Sequence, residues 1–426
     1  MAGRKTVADR LAEALGAVLG TSELPVRLRG WDGSIAGPAG APVVAVRSRR
    51  ALRRMLWSPG QLGIGRAYVA GEIDMEDDVF ATFTALRTDG RLAQGGPPSQ
   101  PTWRDRLALL GTALRLGAIG PEPAPPAEEA PLGTGHRHSR ARDAAAISHH
   151  YDVSNDFYSL VLGPSMVYSC AVWATPDTGL DAAQEAKLDL VCRKLGLAPG
   201  SRLLDVGCGW GSMAIHAAQR YGAEVVGITL SEEQARMARK RVAEAGLTDR
   251  VDIRVQDYRA VEDEPFDAIS SIGMAEHVGR AQMPEYVAQL TRLLRPGGRL
   301  LNHAINWNAG TSTWNPDTFI ARYVFPDGEL LGLGETVGLL ESREMEVLDV
   351  EALRQHYALT LRAWVQRLEE NWDAAVAATS EGRARVWRLY MAASALTFES
   401  GEMGVNQVLL QKTGGAQPPL RRTAWT

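Results

Sequence analysis

Residues 7–20 (VADRLAEALGAVLG) set apolar side chains at helical spacing, and the alternating segments Val26–Arg29 and Val43–Arg47 behind them read as strands. Gly30-Trp31-Asp32-Gly33 and Gly37-Pro38-Ala39-Gly40 supply turns, and a helix is expected around Ser48–Trp57. Residues 118–135 (AIGPEPAPPAEEAPLGTG) lose this periodicity; rich in Pro, Ala and Glu, they read as an extended, poorly packed linker. From about residue 143 strand-like runs alternate with helical ones. Leu203–Val206, Glu224–Thr229, Val251–Val255, Asp267–Ile272, Leu300–Asn306, Met345–Val350 and Val405–Gln411 are the expected strands. The chain therefore divides into a smaller α+β domain over 1–117, a Pro-rich linker over 118–142 and a doubly wound α/β domain over 143–426. Residues 310–340 and 358–398, rich in Trp, Leu and Ala, are expected as helical insertions or covers.

A chain of 426 residues, 45% apolar and 23% charged, has material for two or three domains. Its net charge of −4 argues against a dedicated nucleic-acid binder. Locally, Arg47, Arg49, Arg50, Arg53 and Arg54 form one basic cluster and His136-Arg137-His138-Ser139-Arg140-Ala141-Arg142 another. They read either as solvated surface or as a contact for an anionic membrane surface. Three cysteines, Cys170, Cys192 and Cys208, are too few and too scattered for a disulfide framework or a zinc site. No secretory signal is evident, and no run approaches the ~20 apolar residues that span a bilayer. A cytoplasmic protein with peripheral membrane contact is expected.

Candidate chemistry gathers at the strand ends. In Arg202-Leu203-Leu204-Asp205-Val206-Gly207-Cys208-Gly209-Trp210-Gly211 the glycines let the backbone turn sharply from a buried strand into a helix from Ser212 to Gln219. A dinucleotide fingerprint needs its third glycine at Ser212, and the glycine falls one residue early, at Gly211. Asp-x-Gly-x-Gly-x-Gly instead resembles the first motif of class I methyltransferases, which bind S-adenosylmethionine; a nicotinamide site and a structural turn are the alternatives. At the next strand ends Thr229 and Ser231 offer hydroxyls, Ser231 also as an N-cap with Gln234 completing a capping box. Asp257 offers an acceptor for an adenine amino group. Glu276 and His277 follow the fourth strand and His303 lies in the fifth, so a carboxylate and two imidazoles meet at one mouth. They read as acid/base groups or as capping and packing residues.

Five segments then carry a family resemblance: "HHYDVSNDFYSLVLGPSMVYSCA", "LLDVGCGWGSMAIHAA", "GITLSEEQ", "GMAEHVG" and "RYVFPDGELL". In this order, over residues 147–412, they resemble the cyclopropane-fatty-acyl-phospholipid synthase and mycolic acid methyltransferase family. The wording is closest to the actinobacterial branch that makes 10-methylene fatty acyl chains, precursors of tuberculostearic acid. The N-terminal strands and helix with "AYVAGEIDMEDD" resemble a sterol-carrier-like lipid-binding module and the N-terminal domain of cyclopropane-fatty-acid synthase relatives.

The resemblance implies a Rossmann-like class I methyltransferase fold and C-methylation of the cis double bond of unsaturated phospholipid acyl chains. A carbocation deprotonated by bound bicarbonate would give the 10-methylene chain, with a cyclopropane as the alternative product. It places Tyr151 at the sulfonium of S-adenosylmethionine and Tyr168 and Ser169 at its methionine part. Asp205, Gly207, Gly209 and Gly211 form the motif, Thr229, Leu230 and Gln234 meet the ribose, and Asp257 meets the adenine. Cys170, Glu276, His303, Ile305 (through its backbone) and Tyr357 would hold the bicarbonate. The implied partners are acyl lipids, a homodimer mate and a downstream reductase. One departure is Asp143-Ala144-Ala145-Ala146, where relatives often carry an acid just before the Ile. A small-molecule N-methyltransferase and a non-catalytic lipid-binding protein are the competing readings.

Overall fold

Leu203 and Leu204 are both fully buried, and they face opposite ways. Their strand, β5 (Arg202–Val206), lies within a seven-stranded sheet of the computed structural model, so its alternate side chains enter two separate cores. Leu203 joins Val191, Ala214 and Ala238, from the helices Leu180–Leu195, Ser212–Tyr221 and Glu232–Glu244. Leu204 joins Tyr286 and Leu290 of the helix Met283–Leu293. Truncating either leucine to alanine would cost about 2–5 kcal/mol. The structure describes residues 5–19, 21, 23–88, 103–130, 142, 154–308, 315 and 317–425.

The sheet adds β6 (Glu224–Thr229), β7 (Val251–Val255), β8 (Phe266–Ile272), β9 (Leu294–Trp307), β10 (Met345–Ala352) and β11 (Met403–Lys412). Their order is β10-β11-β9-β8-β5-β6-β7. The five strands from β9 to β7 run parallel, whereas β11 is antiparallel to both β9 and β10. All seven expected strands form; the wedging of the last strand between the fifth and sixth is the feature that periodicity does not foretell. From β5 the chain runs outward through β6 and β7 on one side, then crosses back to β8 on the other. That is the switch point beyond whose carboxyl end open α/β sheets bind ligands.

The chain divides into two units, and the one holding this sheet comprises Leu132–Trp314, Phe325–Ala378 and Thr397–Thr426. The other comprises Met1–Pro131, Asn315–Val324 and Thr379–Leu396. Its small sheet contains β1 (Arg27–Arg29), β2 (Ile35–Ala36), β3 (Val43–Val46) and β4 (Ile73–Met75), in the order β2-β1-β3-β4. Ser48 caps the helix Arg49–Trp57 by accepting from the Arg50 N–H at 3.1 Å. Leu52 of that helix and Leu11 of the helix Val7–Leu19 share a core with Val26 and Leu28.

Two expectations change here. Residues 118–130, read as a loose linker, are packed into this unit: Ala118 and Ala130 are buried, and Glu129 takes a bidentate pair from Arg66 at 2.7 and 2.6 Å. A Pro-rich stretch has few backbone ladders of its own, and here side chains satisfy it. Arg53 donates to the carbonyl of Ala118 and Arg54 to that of Ala124. The first basic cluster is also largely neutralised. Arg54 and Arg50 pair with Glu72 at 2.9 and 3.4 Å, and Arg47 with Asp74 at 2.7 Å. Of the second cluster only Arg142 lies among the described residues, paired with Asp327 at 2.6 Å. No described helix is long and apolar enough to cross a membrane.

Candidate functional site

After β5 the backbone passes through Gly207, Gly209 and Gly211 with φ of +77°, +55° and +81°. Side chains rarely adopt these values, so the turn depends on glycine. The first two glycines line a cleft beyond the strand ends, floored by Asp205 and Val206. Gly211 does not line it. A Cβ there would sit 3.2 Å from that of Ala238, so this glycine lets two helices approach closely. The N–H groups of Gly207 and Cys208 both donate to the Ile228 carbonyl, tying the turn to β6.

From β6 the cleft receives Thr229 and Leu230, with Gln234 behind them. Ser231 caps the next helix by accepting from the Gln234 N–H at 3.1 Å, while Thr229 donates to the Gln234 side chain at 2.8 Å. From β7 comes Asp257, which has a structural duty the sequence did not reveal. It caps the turn Tyr258–Ala260 and pairs with Arg259 at 2.7 Å. Tyr168 and Ser169 close the opposite wall. Trp210 also lines it, held by Asn155 at 2.8 Å and packed on Tyr158. Tyr151 lies outside the described residues, as do Asp143 and the alanines after it.

A second polar cluster lies behind this cleft, reached through shared segments. Ser169 faces the cleft, and the next residue, Cys170, is buried with its thiol 3.6 Å from the Leu353 carbonyl. Tyr357 donates its N–H to the same carbonyl, and its ring packs 4.7 Å from that of Phe398. The Leu353 N–H donates to Val405 of β11, which is in register with Ile305 of β9. The Ile305 N–H in turn donates to Glu276 Oε1 at 2.7 Å. One chain of contacts thus joins Cys170, Tyr357, Ile305 and Glu276. His303, two residues before Ile305, faces Gln407 across β11, with 3.3 Å between its Nδ1 and the amide nitrogen. His277 and Val278, which follow Glu276 in sequence, return to the cleft.

Burial controls the electrostatics. It raises the Glu276 carboxyl to about 7 against the pull of the Ile305 N–H. It lowers His303 to about 3, with the Lys187 and Lys194 charges adding to the effect, so this imidazole is neutral. It raises the Cys170 thiol, which stays protonated. Glu276 Oε2 and His303 Nε2 are buried without a hydrogen-bond partner, an arrangement that native folds seldom leave without a purpose.

Residues 138–408 match the family model described as mycolic acid cyclopropane synthetase. The chain belongs to that family. It is 43% identical over 420 residues to a probable fatty acid methyltransferase of Mycobacterium tuberculosis, covering 96% of this chain and 97% of the relative. It is 34% identical over 415 residues to the tuberculostearic acid methyltransferase UfaA1 of the same organism, covering 92% and 89%. A solved mycolic acid cyclopropane synthase, CmaA1 complexed with SAH and CTAB, superposes with a TM-score of 0.59 at 34% identity, over 63% of this chain and 98% of that one. This member of the cyclopropane synthetase family is an S-adenosylmethionine-dependent methyltransferase.

Sequence reasoning missed two residues of the candidate site. Lys187 lines the cleft although its helix buries it, and Gln407 orients His303 from a strand about a hundred residues away. For Lys187 a signal existed: it falls on the apolar stripe Leu180, Ala183, Leu188, Val191, where a lysine is out of place.

Proposed function

We propose that this methyltransferase alkylates the cis double bond of unsaturated phospholipid acyl chains and yields the 10-methylene chain. The observation that carries the reading is that the cleft and the buried polar cluster share adjacent residues, at Ser169–Cys170 and at Glu276–His277. Tyr168 and Ser169 take the methionine end of S-adenosylmethionine, Thr229, Leu230 and Gln234 the ribose, and Asp257 the adenine side. When bound, that donor supplies an electrophilic methyl group. The protein must hold the alkene, a weak nucleophile, in line with it and keep water away from the cation that results.

The cation must also lose a proton, and the cluster narrows what can take it. A His303 imidazole at about 3 is too weak a base, and the Cys170 thiol has no available anion. The proton therefore goes to Glu276 or to an anion that Glu276 and His303 hold. Each has a buried atom without a hydrogen-bond partner, which a small oxyanion between them would satisfy. With the Gln407 amide donating to Nδ1, His303 presents an N–H at Nε2, and a protonated Glu276 presents an O–H. We assign bicarbonate to this position, where it would supply the base. The Ile305 N–H is engaged by Glu276, so it joins the anion only when that carboxyl shifts.

Substrate access is assigned to the smaller unit. The helix Trp103–Arg115 exposes Trp103, Leu107, Leu110 and Leu114, a single stripe at helical spacing, between 41% and 67% accessible. Such a face suits the acyl–headgroup boundary of a bilayer. Because most arginines of the first basic cluster are internally paired, the contact rests on this stripe more than on charge. Product chemistry adds a partner class: converting a methylene branch to a methyl branch requires a reductase.

The test is incubation of the purified protein with S-adenosylmethionine and vesicles of oleoyl phospholipid, followed by mass and proton NMR analysis of the acyl chains. A gain of one methylene with an olefinic =CH2 signal is expected. Cyclopropane protons would correct the product, and no mass gain would refute the reading.

A further inference from the structure

The helix that carries Glu276 runs only from Ala275 to Val278, and no side chain caps its N-terminus. So short a helix cannot hold itself in place, because one turn fixes several dihedrals for a single hydrogen bond. At Gly279 the backbone leaves the helix, with φ +76° and ψ 149°. Had the helix continued, the Arg280 N–H would have donated to the Glu276 carbonyl, four residues back. The break parts these two groups, and Glu329 satisfies both. Its own N–H donates to the Glu276 carbonyl at 3.0 Å, and its Oε2 accepts from the Arg280 N–H at 3.1 Å.

The segment that delivers Glu329 is anchored on either side of the contact. The Gly328 N–H donates to the Phe325 carbonyl at 3.3 Å, and the Phe325 ring meets the His277 ring edge-on at 5.7 Å. Asp327 takes both nitrogens of Arg142, at 2.6 and 2.7 Å. The Arg280 side chain pairs in turn with Glu335. Glu276 is therefore gripped twice: by the Ile305 N–H at its carboxylate, and by Glu329 at its carbonyl.

We infer that Glu329 is a positioning residue for the reaction. It replaces the helical bond lost at Gly279 from both ends and so fixes the Glu276 carboxylate against Ile305. This role rests on the assignment of Glu276 to the base cluster. Its leverage follows from geometry, since a misplacement of about 1 Å at a reacting group costs up to about 100-fold in rate.

Three variants separate the acceptor from the charge around it. Glu329→Ala leaves the Arg280 N–H without this acceptor, Glu329→Gln keeps an acceptor there, and Arg280→Met keeps the N–H while removing the side-chain ion pairs. Turnover is read from the mass gain of oleoyl phospholipid vesicles at varied S-adenosylmethionine, and hydrogen–deuterium exchange is followed over residues 274–283. Glu329→Ala should lower kcat by about tenfold or more with KM for S-adenosylmethionine within about twofold, and exchange should quicken by about tenfold. Glu329→Gln and Arg280→Met should stay within about threefold of the wild type in both measurements. Glu329→Asp, which withdraws the acceptor by one methylene, should show part of the alanine loss, giving a reading if the alanine variant fails to fold. Wild-type exchange or wild-type kcat in Glu329→Ala overturns the role, as does a KM that rises as much as kcat falls. An equal loss in Glu329→Gln or Arg280→Met overturns it too, because charge and not the replaced bond would then be at work. A wild type that adds no methylene to the vesicles overturns the proposed function instead, and the exchange comparison still decides whether Glu329 holds the turn.

Discussion

Glu276→Gln separates function from stability, with opposite signs. The amide keeps an acceptor for the Ile305 N–H and removes the ionisable oxygen that has no partner. In the wild type, burial raises this carboxyl from its ordinary 4.5 to about 7. The folded protein therefore binds this proton more tightly than the unfolded chain. Stability from the group is complete below about pH 4.5 and declines as pH rises toward 7, after which the loss is constant. A rise of about two and a half pH units, at ~1.4 kcal/mol each, amounts to roughly 3 kcal/mol. The Gln variant does not pay this penalty. Urea unfolding followed by tryptophan fluorescence should find the two proteins close near pH 5, with the variant ahead by up to roughly 3 kcal/mol at pH 8. Its turnover should fall by on the order of 100-fold, with S-adenosylhomocysteine affinity nearly unchanged. A stability gap of the same size at both pH values would refute the buried-acid argument, and a parallel loss of cofactor affinity would refute the separation of base from donor.

Gly209→Val forces a β-branched residue to φ +55° on the cleft wall, so calorimetry should record at least about a 100-fold loss of S-adenosylhomocysteine affinity. Tyr357→Phe keeps the ring contact with Phe398 but removes the hydroxyl. Turnover should drop by about tenfold or more with cofactor affinity intact, and equal losses in both would remove Tyr357 from the base cluster. The double variant Leu107→Ser and Leu110→Ser takes apolar area from the exposed stripe, so sedimentation with phospholipid vesicles should weaken at every salt concentration. Binding that disappears only with added salt would assign the contact to the arginines instead.

How far the site could be read from sequence depends on the range of each signal. The glycine turn, the Ser231 cap and all seven strands of the large sheet are local patterns, and they were legible. Strand order is not local. Nothing in Val405–Gln411 says that it runs antiparallel beside His303, so Gln407, which fixes that imidazole, stayed invisible. Asp257 read only as an adenine acceptor because its structural partner, Arg259, is two residues away and resembles ordinary surface charge. The arginines of residues 47–54 looked like a free basic patch because their carboxylates come from Glu72 and Asp74, beyond an intervening helix. The acidic run after Gly71 was the available clue.

One sheet face carries two groups of polar side chains with unsatisfied atoms. Side chains at Leu203, Asp205, Leu301 and His303 point to the layer that includes the helix Leu180–Leu195, by the period-two alternation of their strands. There Asp205 and Lys187 act on each other's ionisation without forming a salt bridge among the described residues, and His303 Nε2 lacks a hydrogen-bond partner, as Glu276 Oε2 does. Elsewhere on that helix the fold finds two carboxylates for Lys194, so the shortage is local rather than a general failure of packing. Such groups lower stability when the protein is empty, and they regain it only from ligands of matching charge. On this argument the donor and the anion each stabilise the fold. The two effects should be close to additive if the clusters are independent, and more than additive if Ser169–Cys170 transmits strain between them. Melting temperatures with S-adenosylhomocysteine, with bicarbonate and with both would distinguish these cases.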